Sequence, residues 1–276
     1  MKADEQEVLH ITNGYPLDFD QLARILHLGA ATARDISVGM NEVSAALGLT
    51  DKKAKYVVTT AVALDVIRPK TFALTPSGAL VFRHDPFFDD IGTLWWLHYC
   101  ISSNPRNTVW NRMANELLPQ GNVFSNSVAS SLFRDLAGKY AGKSLSSHID
   151  KEINAFLHAY VTSNFSRLVY LLASGLQYRL GYREPVPPLV LAACIARYRD
   201  KHRSGDTALS VTDLLSAPNS PGVVCQITEE RLRAGLEAMK TQPGLSLESR
   251  ADLDQVRLTE TTPDYRWMER YYQSRQ

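Results

Sequence analysis

Residues Ser37 to Val81 constrain this chain most, because two apolar periodicities of helix length flank a tight turn and run into a short, turn-rich stretch. Met40, Val43, Ala46 and Leu47 have helical spacing, and Gly48 supplies a permissive turn position. Thr50 can cap a second helix carrying Ala54, Val57, Val58, Ala61 and Leu64 on one face. After Ile67, the run Arg68-Pro69-Lys70-Thr71-Phe72-Ala73-Leu74 is too short and too rich in turn formers for a helix, and it reads as a β-wing. Thr75-Pro76 then offers an N-cap with proline at the first helical position. The pattern predicts a winged helix-turn-helix, a layout that docks on DNA or on another protein.

The rest of the chain predicts a mainly α protein in three parts. The first, residues 1–86, holds this winged module behind a leading helix at Leu22 to Leu28. The second, residues 87–183, is a helical middle with amphipathic segments at Ile91 to Ser102, Val109 to Leu118, Val128 to Tyr140, Ile149 to Val161 and Leu168 to Leu180. Turn formers at Asn104-Pro105, Pro119-Gln120-Gly121-Asn122, Gly142 and Thr162-Ser163-Asn164 separate them. Ser147-His148-Ile149-Asp150 resembles a capping box that would open the fourth segment, with Glu152 in the same first turn.

Pro185-Val186-Pro187-Pro188 marks a stiff break, and residues 184–276 again read as a winged helix. Its helices are expected at Leu189 to Tyr198, Ser210 to Leu215 and Glu229 to Met239. The apolar and polar alternation of Leu245 to Ser249 and Gln255 to Leu258 across Arg250-Ala251-Asp252 predicts a hairpin.

Charge narrows the functional classes. Thirty Lys and Arg against 29 Asp and Glu give a net charge of +1, so any nucleic-acid surface must come from local clustering. Two clusters stand out. The first is the expected DNA-binding set, Lys52, Lys53, Lys55 and Tyr56 at a helix start with Arg68 and Lys70 in the wing; a solvated helix face or a protein contact is the alternative. No Arg or Asn pair suited to base readout accompanies it, which favours backbone binding over sequence readout. The second cluster, Arg197, Arg199, Lys201, His202 and Arg203, lies at a helix C-terminus, where the macrodipole itself favours cations.

Candidates for chemistry are sparse. His84, Asp85, Asp89 and Asp90, followed by His98, could hold a divalent cation for phosphodiester cleavage, but their spacing matches no metal signature. Asp85 before Pro86 is a turn starter, and Asp89 and Asp90 suit the N-terminus of the next helix. No Gly-rich phosphate loop, paired-cysteine motif or nucleophile elbow is present. Cys100, Cys194 and Cys225 are odd in number and lie in apolar surroundings, as expected of buried reduced thiols. Gly92-Thr93-Leu94-Trp95-Trp96-Leu97-His98-Tyr99-Cys100 has no interleaved bases and is expected in the core.

Several of these motifs also carry a family resemblance. Asp85-Pro86, Asp89-Asp90, Gly92-Thr93-Leu94-Trp95 with His98, Ser220-Pro221-Gly222 before Val223-Val224, and Leu253-Asp254-Gln255-Val256 occur in an order that resembles the family known as domain of unknown function 4007, from about Val38 to the end. His10-Ile11-Thr12-Asn13 and Thr50-Asp51-Lys52-Lys53 depart from the family pattern. The resemblance implies an accessory protein of bacterial DNA modification, including the phosphorothioation type, or of anti-phage defence. Sulfur-transfer or other defence enzymes are its implied partners, and it implies no catalytic residue.

The expectation is therefore a non-enzymatic DNA-binding accessory protein without a cofactor, acting on double-stranded DNA; self-assembly into a homo-oligomer fits the same reading. The alternatives are a protein-interaction scaffold without DNA contact, a transcriptional regulator, and a nuclease using the His84–Asp90 acids. The acidic opening Met1 to Glu7 lacks an apolar signal core, and the apolar runs near Leu94 to Ile101 and Leu189 to Ala196 are too short to cross a bilayer. These features predict a cytoplasmic location with no membrane partner.

Overall fold

The computed structural model describes residues 7–32, 39–138, 142–250, 253–258 and 262–275. They are mainly helical, with 58% helix, 10% strand and two small sheets, which sets the class as mainly α. The chain divides into two compact units, Met1–Glu184 and Pro185–Gln276. Ser37, Val38, Tyr140, Ala251 and Asp252, which fall in expected elements, lie outside the described residues.

The first unit opens with α1 (Phe19–Ala31), α2 (Met40–Leu47) and α3 (Asp51–Ala63). Asp18 caps α1 by accepting from the Gln21 N–H, and Phe19, Leu22, Ala23, Ile25 and Leu26 turn inward. Gly48 closes α2 in the left-handed region at φ 65°, and the Leu49 N–H returns to the Ser44 carbonyl, so the chain reverses tightly. Thr50 then caps α3 through the Lys53 N–H. Of the expected apolar faces, Val43, Leu47, Ala54, Ala61 and Leu64 are buried, Met40, Val57 and Val58 are half-buried, and Ala46 is exposed. The expected wing is reduced to one bridge, Ile67 to Leu74, with Arg68 N–H bonded to the Ala73 carbonyl at 2.8 Å. Thr75 caps α4 (Pro76–His84), with Pro76 in its first turn as expected.

Asp90 caps α5 (Ile91–Ser102), accepting from the N–H groups of Gly92 at 2.8 Å and Thr93 at 3.1 Å. Every residue from Gly92 to Ser102 is buried, so this helix is the axis of the core. Tyr160, Phe165 and Tyr170 ring His98, and the His98 Nδ1 is hydrogen-bonded to the Tyr160 hydroxyl.

Three expected helices of the middle part take other forms. Val109 to Leu118 is split into α6 (Thr108–Arg112), a π-turn (Met113–Leu117) and a 3₁₀ turn (Leu118–Gln120), because Pro119 has no N–H with which to continue the ladder. Val128 to Tyr140 shortens to α7 (Asn126–Ser131), after β1 (Phe124–Ser125), and a 3₁₀ turn (Arg134–Gly138). The third, Leu168 to Leu180, is a hairpin: β2 (Leu171–Ser174) and β3 (Gln177–Leu180) pair antiparallel about Gly175 at φ 60°, and β1 adds to β3. Leu168, Leu172, Leu176 and Leu180 stand four apart and imitate a helix face, while the glycine sets the reversal.

The helix between them starts earlier than expected: α8 runs from Gly142 to Val161. Ser147 to Asp150 are therefore interior, and the capping-box reading does not hold. Serine is only mildly unfavourable inside a helix, so Ser146-Ser147 does not break it.

The second unit is built on α9 (Pro188–His202), which begins at the expected proline break and buries Val190 to Ala196. Then follow β4 (Ala208–Ser210), α10 (Val211–Ser216), α11 (Pro221–Val224), α12 (Glu229–Ala238), β5 (Leu245–Arg250) and β6 (Leu253–Leu258). Ser210, Ser220 and Thr228 cap α10, α11 and α12. The predicted hairpin is present as β5–β6, and β4 extends it to an antiparallel sheet of order β4-β6-β5. A final helix, α13 (Asp264–Gln273), lays Trp267, Met268, Tyr271 and Tyr272 inward and packs along α9. Cys100, Cys194 and Cys225 are buried thiols and form no disulfide.

Candidate nucleic-acid interface

The start of α3 gathers the cations of the first set. Lys52 and Lys55 are exposed, and Lys53 and Tyr56 are half-buried one turn apart. Asp51, the acid nearest in sequence, accepts a hydrogen bond from the Ser44 hydroxyl at 2.5 Å. Among the described residues, none of Lys52, Lys53, Lys55, Arg68 and Lys70 forms an ion pair. Three lysines beside a helix N-terminus, itself positive, concentrate potential of one sign.

Arg68 and Lys70 are exposed on the turn that follows α3. The lysines stand in the first two turns of α3, whereas Arg68 and Lys70 lie past its last residue, Ala63. Lys70 itself sits at φ 74° and Phe72 at φ 58°, so the turn is a fixed, sparsely populated backbone shape.

The structure also brings in residues that sequence reasoning missed. The ring of His10 stacks on that of His148 at 4.7 Å and meets Tyr56 edge-on at 6.2 Å, and Tyr15 lies 5.8 Å from Tyr56. Burial first, then the charges of His148 and Lys55, hold His10 below its ordinary pKa. Thr12, Tyr15, Asp18, Lys53, Tyr56 and Thr60 line a small cleft here.

What holds this N-terminal segment against the helices is Glu152, a fully buried carboxylate on α8. It accepts from the Thr12 N–H at 3.1 Å, the Thr12 hydroxyl at 3.0 Å, the Asn13 N–H at 3.1 Å and the Trp110 indole N–H at 2.9 Å. Burial pushes its pKa up, and hydrogen bonds from Trp110, Thr12 and the Ile11 backbone pull the other way without cancelling the shift. No local signal links positions 140 residues apart.

The second basic set is largely spent inside its own unit. Arg197 pairs with Asp264 at 3.1 Å, the buried Arg199 with Asp200 at 2.7 Å, and Arg203 with Asp213 and with Asp206 at 3.5 Å. Lys201 is exposed, and His202 lies against Tyr198.

The acids near His84 serve the backbone. Asp85 is buried and accepts from the N–H groups of Asp89 at 2.8 Å and Asp90 at 3.0 Å, while Asp90 caps α5. Desolvation, the leading cause, raises the Asp85 pKa. Asp89 is exposed, 3.6 Å from Arg167. Among the described residues no group of three or more His, Cys, Asp or Glu side chains could hold a metal ion. Nor is any described helix long and apolar enough to cross a membrane.

These features describe a mainly α protein with lysines at the start of one helix and two further cations on the turn after it. Residues 45–272 match the model of the family described as "Protein of unknown function (DUF4007)", and the chain belongs to that family. No curated protein matches the chain. Two solved structures share its fold at 15% identity: one described as a magnesium ion-bound SspB crystal structure, with TM-score 0.73 over 94% of this chain and 91% of that one, and an SspB crystal structure with TM-score 0.72 over 95% and 93%.

Proposed function

We propose that the protein binds double-stranded DNA through its N-terminal helices, reading α2, α3 and the Ile67–Leu74 turn as a winged helix-turn-helix. Lys52, Lys53 and Lys55 meet phosphates at the start of α3, with Tyr56 beside them, and Arg68 and Lys70 meet phosphates from the turn after the helix. The observation that carries this reading is the ion-pair state of the two basic sets. The arginines of the second set are neutralised by carboxylates, whereas the five cations of the first pair with no described acid. Cations that no carboxylate engages in an ion pair keep their charge for a polyanion.

In this reading the protein is an accessory factor of a bacterial DNA-modification or anti-phage defence system and delivers a modification or defence enzyme to duplex DNA. An electrophoretic shift of random-sequence duplex tests it. Retarded DNA whose affinity falls steeply with salt supports the reading, and no shift at low salt refutes it.

One observation favours a second reading, metal-assisted cleavage of DNA: a structure with this fold is described as magnesium ion-bound. In this chain Asp85 and Asp90 are committed to backbone N–H groups, so no cleavage step is assigned to them. Conversion of supercoiled to relaxed plasmid, dependent on magnesium and abolished by Asp89→Ala, would establish that reading at the acids.

A further inference from the structure

We propose that His10, stacked on His148 beside Lys55, is a further phosphate contact of the duplex-binding surface and takes up a proton when the duplex binds. The proposal rests on the duplex-binding reading and adds to it a residue from outside the helix-turn-helix.

Three elements meet at this ring. His10 belongs to the N-terminal segment, Tyr56 to α3 and His148 to α8; the His10 ring lies 4.7 Å from that of His148 at 22° and 6.2 Å from that of Tyr56 at 62°. Its two nitrogens differ. Nδ1 is buried and has no hydrogen-bond partner among the described residues, whereas Nε2, which bonds to no described residue either, reaches solvent. A protonated ring therefore carries an outward N–H without an acceptor from the protein, and a phosphate oxygen is such an acceptor.

The field at this ring is cationic. Burial comes first among the causes that hold the His10 pKa below its ordinary 6.5, and the charges that add to it are those of His148 and Lys55, with no carboxylate opposing them. The acids of the surrounding elements are engaged elsewhere. On α8, Glu152 is taken up by Thr12, Asn13 and Trp110, and Asp150 accepts from the Ser130 hydroxyl at 2.6 Å. On α3, Asp51 accepts from Ser44; in the N-terminal segment, Asp18 caps α1 and Glu7 acts on Arg112. Lys151, exposed one turn after His148, forms no ion pair among the described residues, and a Cβ on Gly14 would lie 2.9 Å from its Cβ. Free cations thus flank His10 on both helices.

An anion at Nε2 reverses that field and favours the charged ring, so the duplex binds together with a proton from solvent. Each unit by which the duplex raises the His10 pKa appears as about a tenfold gain in affinity from high to low pH. A polyanion fits better than a single small anion, which would engage only part of a surface that reaches from the start of α3 to Lys151 on α8.

The test follows the His10 ring Cε1–H signal of the full chain by NMR across pH, with and without a short duplex; its absence from His10→Gln assigns it. The midpoint of the free protein lies below 6.5, and the duplex raises it by about half a unit or more. From about pH 8 to about pH 5 at fixed ionic strength, duplex affinity rises about threefold more in the parent than in His10→Gln, and the two agree at the upper pH. The proposal is overturned if the duplex leaves the midpoint in place, or if parent and variant respond alike to pH. An equal loss of affinity by the variant at every pH also overturns it, since the ring then only packs the surface. Inorganic phosphate that raises the midpoint as far as the duplex does overturns it in favour of a small-anion site. In each of these cases a gel shift that depends on Lys52, Lys53 and Lys55 leaves the duplex-binding reading standing; absence of any duplex binding by the parent removes both.

Discussion

The indole N–H of Trp110 donates to the carboxylate of Glu152 at 2.9 Å, inside the core, and the same carboxylate receives three further hydrogen bonds from Thr12 and Asn13. One buried acid thereby ties the N-terminal segment, α6 and α8 together. It sets His10 against Tyr56, beside the lysines of α3.

Removing that acid strands the donors. Leaving a buried donor unpaired costs about 1–3 kcal/mol, so Glu152→Ala is expected to destabilise the protein by about 3 kcal/mol or more. Chemical denaturation measures this. Trp110→Phe removes one donor and keeps the other bonds, and is expected to cost less than Glu152→Ala.

The pH dependence has a definite sign. Glu152 and Asp85 have pKa values raised in the folded state, from ordinary values of 4.5 and 3.8, so between those values and the raised ones the folded chain holds protons that the unfolded chain has lost. Their contribution is complete below the ordinary values and is lost as pH rises through the raised ones. The stability difference between parent and Glu152→Gln should therefore shift against the parent as pH climbs above about 4.5. Denaturation midpoints of the two proteins from acid to neutral pH check it; a difference that does not change with pH contradicts it.

The ion pairs of the second unit predict a separation of effects. Arg197→Ala leaves Asp264 without its 3.1 Å partner between α9 and α13 and should cost about 1 kcal/mol of stability. Duplex affinity should not change. A variant with normal stability and weakened DNA binding would instead place Arg197 in the interface.

Much of the fold was legible because its signals are local. The acids Asp89 and Asp90 before the helix and the Asn104-Pro105 break after it delimit α5, and Gly48-Leu49-Thr50 carries the whole reversal from α2 to α3. The β2–β3 hairpin was not legible, since leucines four apart satisfy a helical period as well as they satisfy two strands meeting at Gly175. Glu152 was misread for a deeper reason. Its place near Ser147 resembles a helix start, while its actual partners are set by tertiary packing with Thr12, 140 residues away. Of the interface, the residue types were legible, but the rings of His10 and Tyr15 beside Tyr56 were not, because tertiary packing alone brings them there.

A charge effect on α3 should run opposite to the usual cost of mutation. Lysines near a helix N-terminus oppose the macrodipole, so replacing Lys52 or Lys55 with alanine is expected to leave stability unchanged or raise it by a few tenths of a kcal/mol. Thermal melts of the single variants check this. A clear loss of stability would mean that these side chains serve the fold.

The most direct test follows duplex binding by fluorescence anisotropy from about 50 to 200 mM salt for the parent and for the Lys52→Ala, Lys53→Ala, Lys55→Ala protein. Five phosphate contacts predict a parent log-log slope of about −4.5, less negative by about 2.7 in the triple variant, with affinity reduced at every salt concentration. A triple variant that keeps both the affinity and the slope of the parent would contradict the assignment of α3 to DNA.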